Sequence, residues 1–293
     1  MSYLDRIAEC NTFDLTRYVP FRVEGRLVGL MRKQFAELLS PYGDVFRRDA
    51  QGVHLLEHFR DFDARSHAVA PLLSELAQAT HIVGWRDEPL AVTEAFSTDA
   101  LLQIERAAAN HFGVRTFGVH MNGFVRRSDG LFMWVPRRSR NKPTYPGRLD
   151  NMVAGGQPHG KGLLENLIKE CAEEASIPNS LARMAQPVGL ISYCAETPEG
   201  LQPDVEFCFD LELPEEFVPR NTDGEVEEFQ LLPIEEVAEL VQNTQEFKPN
   251  CALVVTHFLV RHGLLLPDHP DYVEIVQRLS SPTLPTLPSA VPA

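Results

Sequence analysis

The stretch GGQPHGKGLLENLIKECAEEAS, Gly155–Ser176, sets four glycines within eight residues directly ahead of a run that carries Glu170, Glu173 and Glu174. On an α-helix, positions i, i+3 and i+4 share a face, so the three glutamates fall in one narrow sector. Leu164, Leu167, Ile168, Cys171 and Ala175 fall in the opposite sector, at the spacing of a buried stripe. The spacing predicts a helix from about 162 to 175, with one face in the core and the other a cluster of negative charge. Like charges at i,i+4, here Glu170 and Glu174, destabilise an isolated helix by roughly a few tenths of a kcal/mol. A solvated acidic face is one account of their crowding. A hard divalent cation is the other, because it takes carboxylate oxygens and leaves positions for water and phosphate. The glycines favour the second account: Gly155, Gly156, Gly160 and Gly162 let backbone approach a ligand, and the helix start offers N–H groups to an anion.

The surrounding composition is that of a globular chain. Its 293 residues are enough for one large or two modest domains, and 44% hydrophobic with 23% charged residues is unlike a disordered or fibrous sequence. The net charge of −14 disfavours nucleic acid and anionic membrane surfaces as partners. That charge is uneven. Residues 111–150 hold eight Lys/Arg against two acids, whereas 151–293 hold seven against twenty-three. A basic segment beside a glutamate-rich one suits a small anion held together with a metal cation. The five cysteines, Cys10, Cys171, Cys194, Cys208 and Cys251, form no CxxC pair and read as free thiols of a reducing, cytoplasmic protein. MSYLDRIAEC lacks the apolar run of a secretory signal, and no window approaches the roughly eighteen apolar residues of a membrane span.

Working outward, HMNGFVRRSDGLFMWVPRRS reads as two strands around a Ser-Asp-Gly turn, followed by the Pro/Gly-broken loop NKPTYPGRLDN. Beyond the helix, PVGLISYCAE, DVEFCFDLELP and EEFQLLP read as strands, PIEEVAELVQN as a short helix, and NCALVVTHFLVRHG as a helix closed by Gly263. In the first 110 residues, FRVEGRLVGLM reads as strand-turn-strand, with helical runs at Met31–Leu39 and Val69–Ala79. The stretch AVTEAFSTDALLQIERAAANHFG reads as a further helix, capped by Ser97 or Thr98 and stopped by Gly113. The expected division is a companion domain over 1–112, a second domain over 113–278, and a Pro/Ser-rich tail over 279–293 whose composition predicts disorder.

At this point the residues resemble the Nudix box, G-x5-E-x7-R-E-U-x-E-E-x-G-U with U aliphatic. Gly155 takes the first glycine, Lys169 and Glu170 the Arg-Glu pair, Cys171 the aliphatic place, Glu173 and Glu174 the second acidic pair, and Ser176 the last glycine. The first glutamate of the box falls on Lys161, a departure in the residue that braces loop and helix; Glu165, four before Lys169, is the expected substitute. FGVHMNGFV, KPTYPGRLDNMVAGG, DGEVEEFQLLPIEEV and FKPNCALVVTHFLVRHG further resemble the Nudix subfamily related to thiamine pyrophosphokinase, in which an N-terminal domain precedes the Nudix domain. The resemblance implies an α+β class: an α/β/α sandwich around a mixed sheet, preceded by a smaller α+β domain. It implies Mg²⁺ or Mn²⁺ held by Glu170, Glu173 and Glu174 with the Gly155 carbonyl. It also implies hydrolysis of a small-molecule diphosphate, thiamine diphosphate or its oxidised analogues, to the monophosphate and phosphate.

Within that frame the general base is one of the box glutamates or an acid outside it, with Glu225, Glu227 and Glu228 as candidates and Glu228 preferred beside Glu170 and Glu174. Arg137, Arg138, Arg140, Lys142 and Arg148 are candidates to clamp phosphate, the alternative being a solvated basic loop. Tyr145 and Trp134 are candidates to stack on a ring, with Trp134 better suited to the core. His120 and Asn122 read as structural, and His159, in the glycine loop, as a substrate contact. Two other classes stay open: an isoprenyl diphosphate isomerase, which needs a reactive cysteine at the site, and a catalytically silent thiamine-diphosphate-binding protein. A homodimer is compatible with the sequence and not dictated by it.

Overall fold

The computed structural model describes residues 1–222 and 224–281. The Pro/Ser-rich tail lies outside the described residues from 282 onward, while Leu279 is buried and Ser280 bridges Ser192. The chain opens with α1 (Tyr3–Glu9), β1 (Tyr18–Val23), β2 (Arg26–Arg32), α2 (Lys33–Leu38), β3 (Phe46–Asp49), β4 (Gly52–Leu55), α3 (Phe62–Gln78), β5 (Pro89–Val92), β6 (Leu102–Glu105) and α4 (Ala109–Phe112). It continues with β7 (Thr116–Arg127), β8 (Gly130–Arg138), β9 (Val153–Gly156), α5 (Leu163–Ala175), α6 (Asn179–Ala182), β10 (Gln186–Glu196) and β11 (Leu201–Glu212). β12 (Val226–Pro233), α7 (Ile234–Asn243), α8 (Pro249–Arg261) and α9 (Tyr272–Arg278) complete it. These elements form two compact units: an N-terminal one of residues 11–116 with 194–204, and a C-terminal one of 1–10, 117–193 and 205–281. Each mixes helices with a largely antiparallel sheet, an α+β class.

In the N-terminal unit the sheet order is β2-β1-β4-β3. The expected strand-turn-strand is present, its turn made by Glu24 and Gly25, both at positive φ (52° and 76°), the conformation of a tight two-residue hairpin turn. Phe21, Val28, Phe35, Leu73 and Phe112 are among the residues that fill the core. The stretch expected as one helix near 97–113 is different: Leu102–Glu105 pairs with Pro89–Val92 as a strand, and only Ala109–Phe112 is α-helical. Leu102 and Ile104 are buried with Gln103 between them, a period of two, and β5 supplies the partner that the local sequence does not reveal. Thr98 bonds Thr93 and Ala95 in a loop rather than capping a helix. Gly113 does stop α4, at φ 56°.

The C-terminal unit is organised by β7. Its Val119, Met121 and Val125 point to one side of the sheet, where they pack with Leu167, Cys171 and Ala175 of α5. Phe124 points to the other and meets Phe258 of α8 edge to face at 5.6 Å. Covered on both faces, β7 is buried from Gly118 to Val125. One edge of β7 is shared: β8 pairs with its C-terminal half (Gly123↔Trp134 to Arg127↔Gly130) and β9 with its N-terminal half (Gly118↔Gly156 to Met121↔Val153). On the other edge β11 climbs in step with β7, Asn122 meeting Asp210 and Phe124 meeting Leu213, so these two strands run parallel and the sheet is mixed. Gly155 and Gly156, read from the sequence as loop, are the end of β9. The α5 stripe also differs at one place: Leu164 is 42% exposed, and Leu163 packs instead. Among the described residues no helix is long and apolar enough to cross a membrane.

Two glycines at positive φ separate backbone freedom from space. A Cβ at Gly25 would meet nothing within 4 Å, whereas one at Gly113 would lie 2.0 Å from the Leu30 carbonyl oxygen. Gly25→Ala is expected to cost about 1 kcal/mol and Gly113→Ala more than about 3 kcal/mol in equilibrium denaturation. Equal costs would remove the close-packing account of α4.

Candidate active site

The site is built on the edge of β9 that faces away from β7. The Gln157 N–H donates to Phe117 O at 2.8 Å, marking one bonded rung of the β7–β9 ladder; by antiparallel alternation Val119 and Gly155 form the next. Ala154 and Gly156 therefore turn their polar groups outward, and α5 meets them. The Ala154 N–H donates to Glu174 Oε2 at 2.9 Å, and Asn166 Nδ2 donates to Gly156 O at 2.9 Å. Between these two bonds, a Cβ on Gly155 would stand 2.5 Å from Glu170 Cδ, so only glycine leaves room for the glutamate to lie against the strand. Asn166, Glu170 and Glu174 occupy i, i+4 and i+8, one line along the helix.

The three box glutamates consequently divide. Glu170 is 14% exposed, and burial raises its pKa despite the opposing charge of Lys169. Glu174 keeps some surface, yet its carboxyl lies deep: burial, with the negative charges of Asp150, Glu170 and Glu225, pushes it well above the ordinary carboxylate range against the Ala154 hydrogen bond. Glu173 stays half exposed and pairs with Lys169 at 2.8 Å, while Lys169 reaches Glu170 at 3.1 Å. The expected Glu165–Lys169 brace is thus replaced by pairing toward the C-terminus, and Glu165 is exposed. The glycine loop is braced by Gln157, whose Nε2 donates to the Lys161 carbonyl at 2.5 Å. Sequence reasoning missed Gln157 and Asn166. The signal for Asn166 was a polar residue in line with Glu170 and Glu174, beside the apolar stripe.

The basic segment and the acids of β12 are largely one another's partners. Arg137 pairs with Glu228 at 3.2 Å and Glu246 at 3.3 Å, Arg140 with Glu227 at 3.7 Å, and Lys142 with Glu225 at 2.5 Å. Arg138 binds Asp150 at 2.5 Å and donates to the carbonyls of Thr144 and Tyr145 at 3.0 and 3.2 Å. Tyr145 is 47% exposed at φ 49°, a left-handed conformation in the turn that Arg138 ties down. His159 is exposed on the 157–162 loop. His120 is structural as expected: its Nδ1 lies 2.8 Å from Asn151 Oδ1, and although burial alone would lower its pKa, the Glu206 carboxylate raises it. Asn122 bonds Asp210 and Asn151. Trp134 is buried in the core, as the sequence favours.

Asp150 is buried where β8 and β9 part. Burial would raise its pKa, but Lys248 and Arg138 hold it down at about 2. A depressed carboxylate stabilises the fold above its unfolded value of about 4 and loses that contribution as pH falls toward 2. Asp150→Asn is expected to lower stability by on the order of 2 kcal/mol at pH 7 and to show a flatter acid limb than the parent below about pH 4. Parallel pH profiles would remove the assignment. Gly155→Ala is expected to displace Glu170 from the strand and to lower stability by about 1–3 kcal/mol in equilibrium denaturation; unchanged stability would show that the close approach is dispensable.

Residues 2–116 match a domain of unknown function (DUF4743), and residues 116–251 match the NUDIX domain. Two Arabidopsis thaliana proteins, Nudix hydrolase 24, chloroplastic, and Nudix hydrolase 20, chloroplastic, are 42% and 41% identical, each over 94% of this chain and 77% of the relative. Among solved structures, a C. elegans Ap4A hydrolase binary complex aligns with a TM-score of 0.39 at 10% identity, over 51% of this chain and 99% of that one. The NUDIX domain of Shewanella oneidensis NrtR complexed with ADP ribose aligns with a TM-score of 0.40 at 14% identity, over 52% and 90%. On the extent and identity of the Arabidopsis matches, the chain belongs to the Nudix hydrolase family.

Proposed function

We propose that the C-terminal unit uses Mg²⁺ or Mn²⁺ to hydrolyse thiamine diphosphate or one of its oxidised analogues to the monophosphate and inorganic phosphate. The observation that carries the reaction class is the convergence of Glu170 and Glu174 on the outer edge of β9, with Gly155 between them. Three negative neighbours bear on the Glu174 carboxyl, which a hard cation would relieve. Among the described residues no three His, Cys, Asp or Glu side chains close into a ready-made cage. Mg²⁺ itself takes one or two carboxylates and leaves its other positions to water and substrate phosphate. Glu170 and Glu174 would hold it, and Glu173 would join if it released Lys169; the Gly155 carbonyl, expected as a further ligand, turns toward Val119 of β7 and away from this edge. Bound there, the ion neutralises charge on the phosphoryl oxygens and acidifies water.

The chain's own residues then have separable tasks. Glu228 is assigned as the proton acceptor outside the helix, and in this structure it pairs with Arg137. Arg137 turning to the substrate phosphate would supply a bidentate clamp and free Glu228 in one movement. Lys142, Tyr145 and His159 are assigned to substrate contact, and Arg138 to holding the 144–150 turn. The substrate assignment is supported by the segments that resemble the thiamine pyrophosphokinase-related subfamily and by the N-terminal domain preceding the Nudix domain. The isomerase reading loses its reactive cysteine: Cys171 is fully buried against Met121, its thiol pushed up to about 12 by burial.

Glu174→Gln keeps an oxygen for the Ala154 N–H, so it is expected to reduce metal-dependent phosphate release at least about 100-fold with little change in melting temperature. Glu173→Gln, at the exposed position, is expected to cost less than about tenfold. Assays on thiamine, nucleotide, sugar and coenzyme diphosphates with Mg²⁺ or Mn²⁺ check both. Full turnover by Glu174→Gln removes the metal assignment, and calorimetric binding of thiamine diphosphate without turnover by the unaltered protein selects the silent binder instead.

A further inference from the structure

Between β8, the leading end of β12 and residues 218–221 lies a cleft of about 430 Å³, within the range of small-molecule sites. Its apolar lining comes from Trp134, Phe229, Val218 and Pro219, and its polar lining includes Arg220 and Glu227. The 218–222 segment is tied to the end of α5: the Arg220 N–H donates to Ala175 O at 3.1 Å, Ser176 Oγ to Arg220 O at 2.7 Å, and Thr222 Oγ1 to Glu173 O at 2.7 Å. The cleft is therefore fixed beside the helix that bears the metal-binding glutamates.

Two features say what it takes. Five of its lining residues, Trp134, Val218, Pro219, Val226 and Phe229, are apolar, so the cleft recognises chiefly by shape and stacking. Trp134 is 8% exposed, and its buried indole N–H has no acceptor among the described residues. A buried donor left without an acceptor is costly, and aromatic lining favours planar rings. We infer that this cleft receives the organic group of the diphosphate, with Trp134 as a specificity-determining residue that favours a planar heteroaromatic ring bearing a hydrogen-bond acceptor over an aliphatic chain. The inference rests on the hydrolase reading.

Val218 is 63% exposed, so Val218→Phe places a ring in the cleft without disturbing the core. Full-length protein, Val218→Phe and Trp134→Phe are compared with Mg²⁺ on thiamine diphosphate, ADP-ribose, geranyl diphosphate and methyl diphosphate. The expected result is a KM raised roughly tenfold by both variants for whichever ring-bearing diphosphate is turned over, with kcat retained and any turnover of methyl diphosphate unchanged. If Trp134→Phe does not fold, Val218→Phe alone decides. Unchanged KM for the ring-bearing substrate, or turnover confined to the ring-free compounds, overturns the cleft assignment and leaves the hydrolase reading standing. Turnover of no diphosphate at all overturns both.

Discussion

The constraint on which the site depends is the need to satisfy the outer edge of β9. A four-residue strand paired on one side only leaves the N–H and carbonyl groups of Ala154 and Gly156 facing away from the sheet, and α5 answers two of them with Glu174 and Asn166. Meeting both bonds fixes the rotation of the helix, and that rotation turns Glu170 onto Gly155. Together with the packing of Leu167, Cys171 and Ala175 on β7, these bonds bring two carboxylates together. Their crowding and burial, unfavourable in isolation, are maintained because α5 is the partner this strand edge has among the described residues.

The charges around the glutamates obey a second constraint, set where β8 and β9 part. Asp150 keeps its charge in the interior because Lys248 and Arg138 face it, and the same charge bears on Glu174. Arg138 spends its remaining donors on the turn at 144–145. The buried pair therefore shapes the 144–145 turn and raises the proton affinity of the Glu174 carboxyl at once, joining two parts of the structure that lie apart in the sequence.

Much of this was legible in the chain. The helical period of Leu167, Cys171 and Ala175, the Ser-Asp-Gly hairpin and the glycine run before an acidic helix are local signals, and each is found where the sequence puts it. What escaped depends on partners far away in sequence. The segment at 102–105 is a strand because β5 lies beside it, against the helical pattern of its neighbours. Arg137 and Glu228 stand 91 positions apart, so a basic stretch and an acidic one read as clamp and base are first of all counterions. Lys169 pairs with Glu173 and not with Glu165, although helical spacing allows both and favours a glutamate N-terminal to its lysine.

The shared edge of β7 has a consequence for how such a chain can vary. β8 leaves that edge at Gly123 and β9 returns to it at Met121, so both ends of the intervening 139–152 connection are anchored to neighbouring rungs of one strand. Insertions or deletions in the outer part of that connection leave the register of either half untouched, because neither pairing is propagated through it. The length of the 139–152 connection and the geometry of Glu170 and Glu174 against β9 are then independent variables, and one can change without rebuilding the sheet that holds the other.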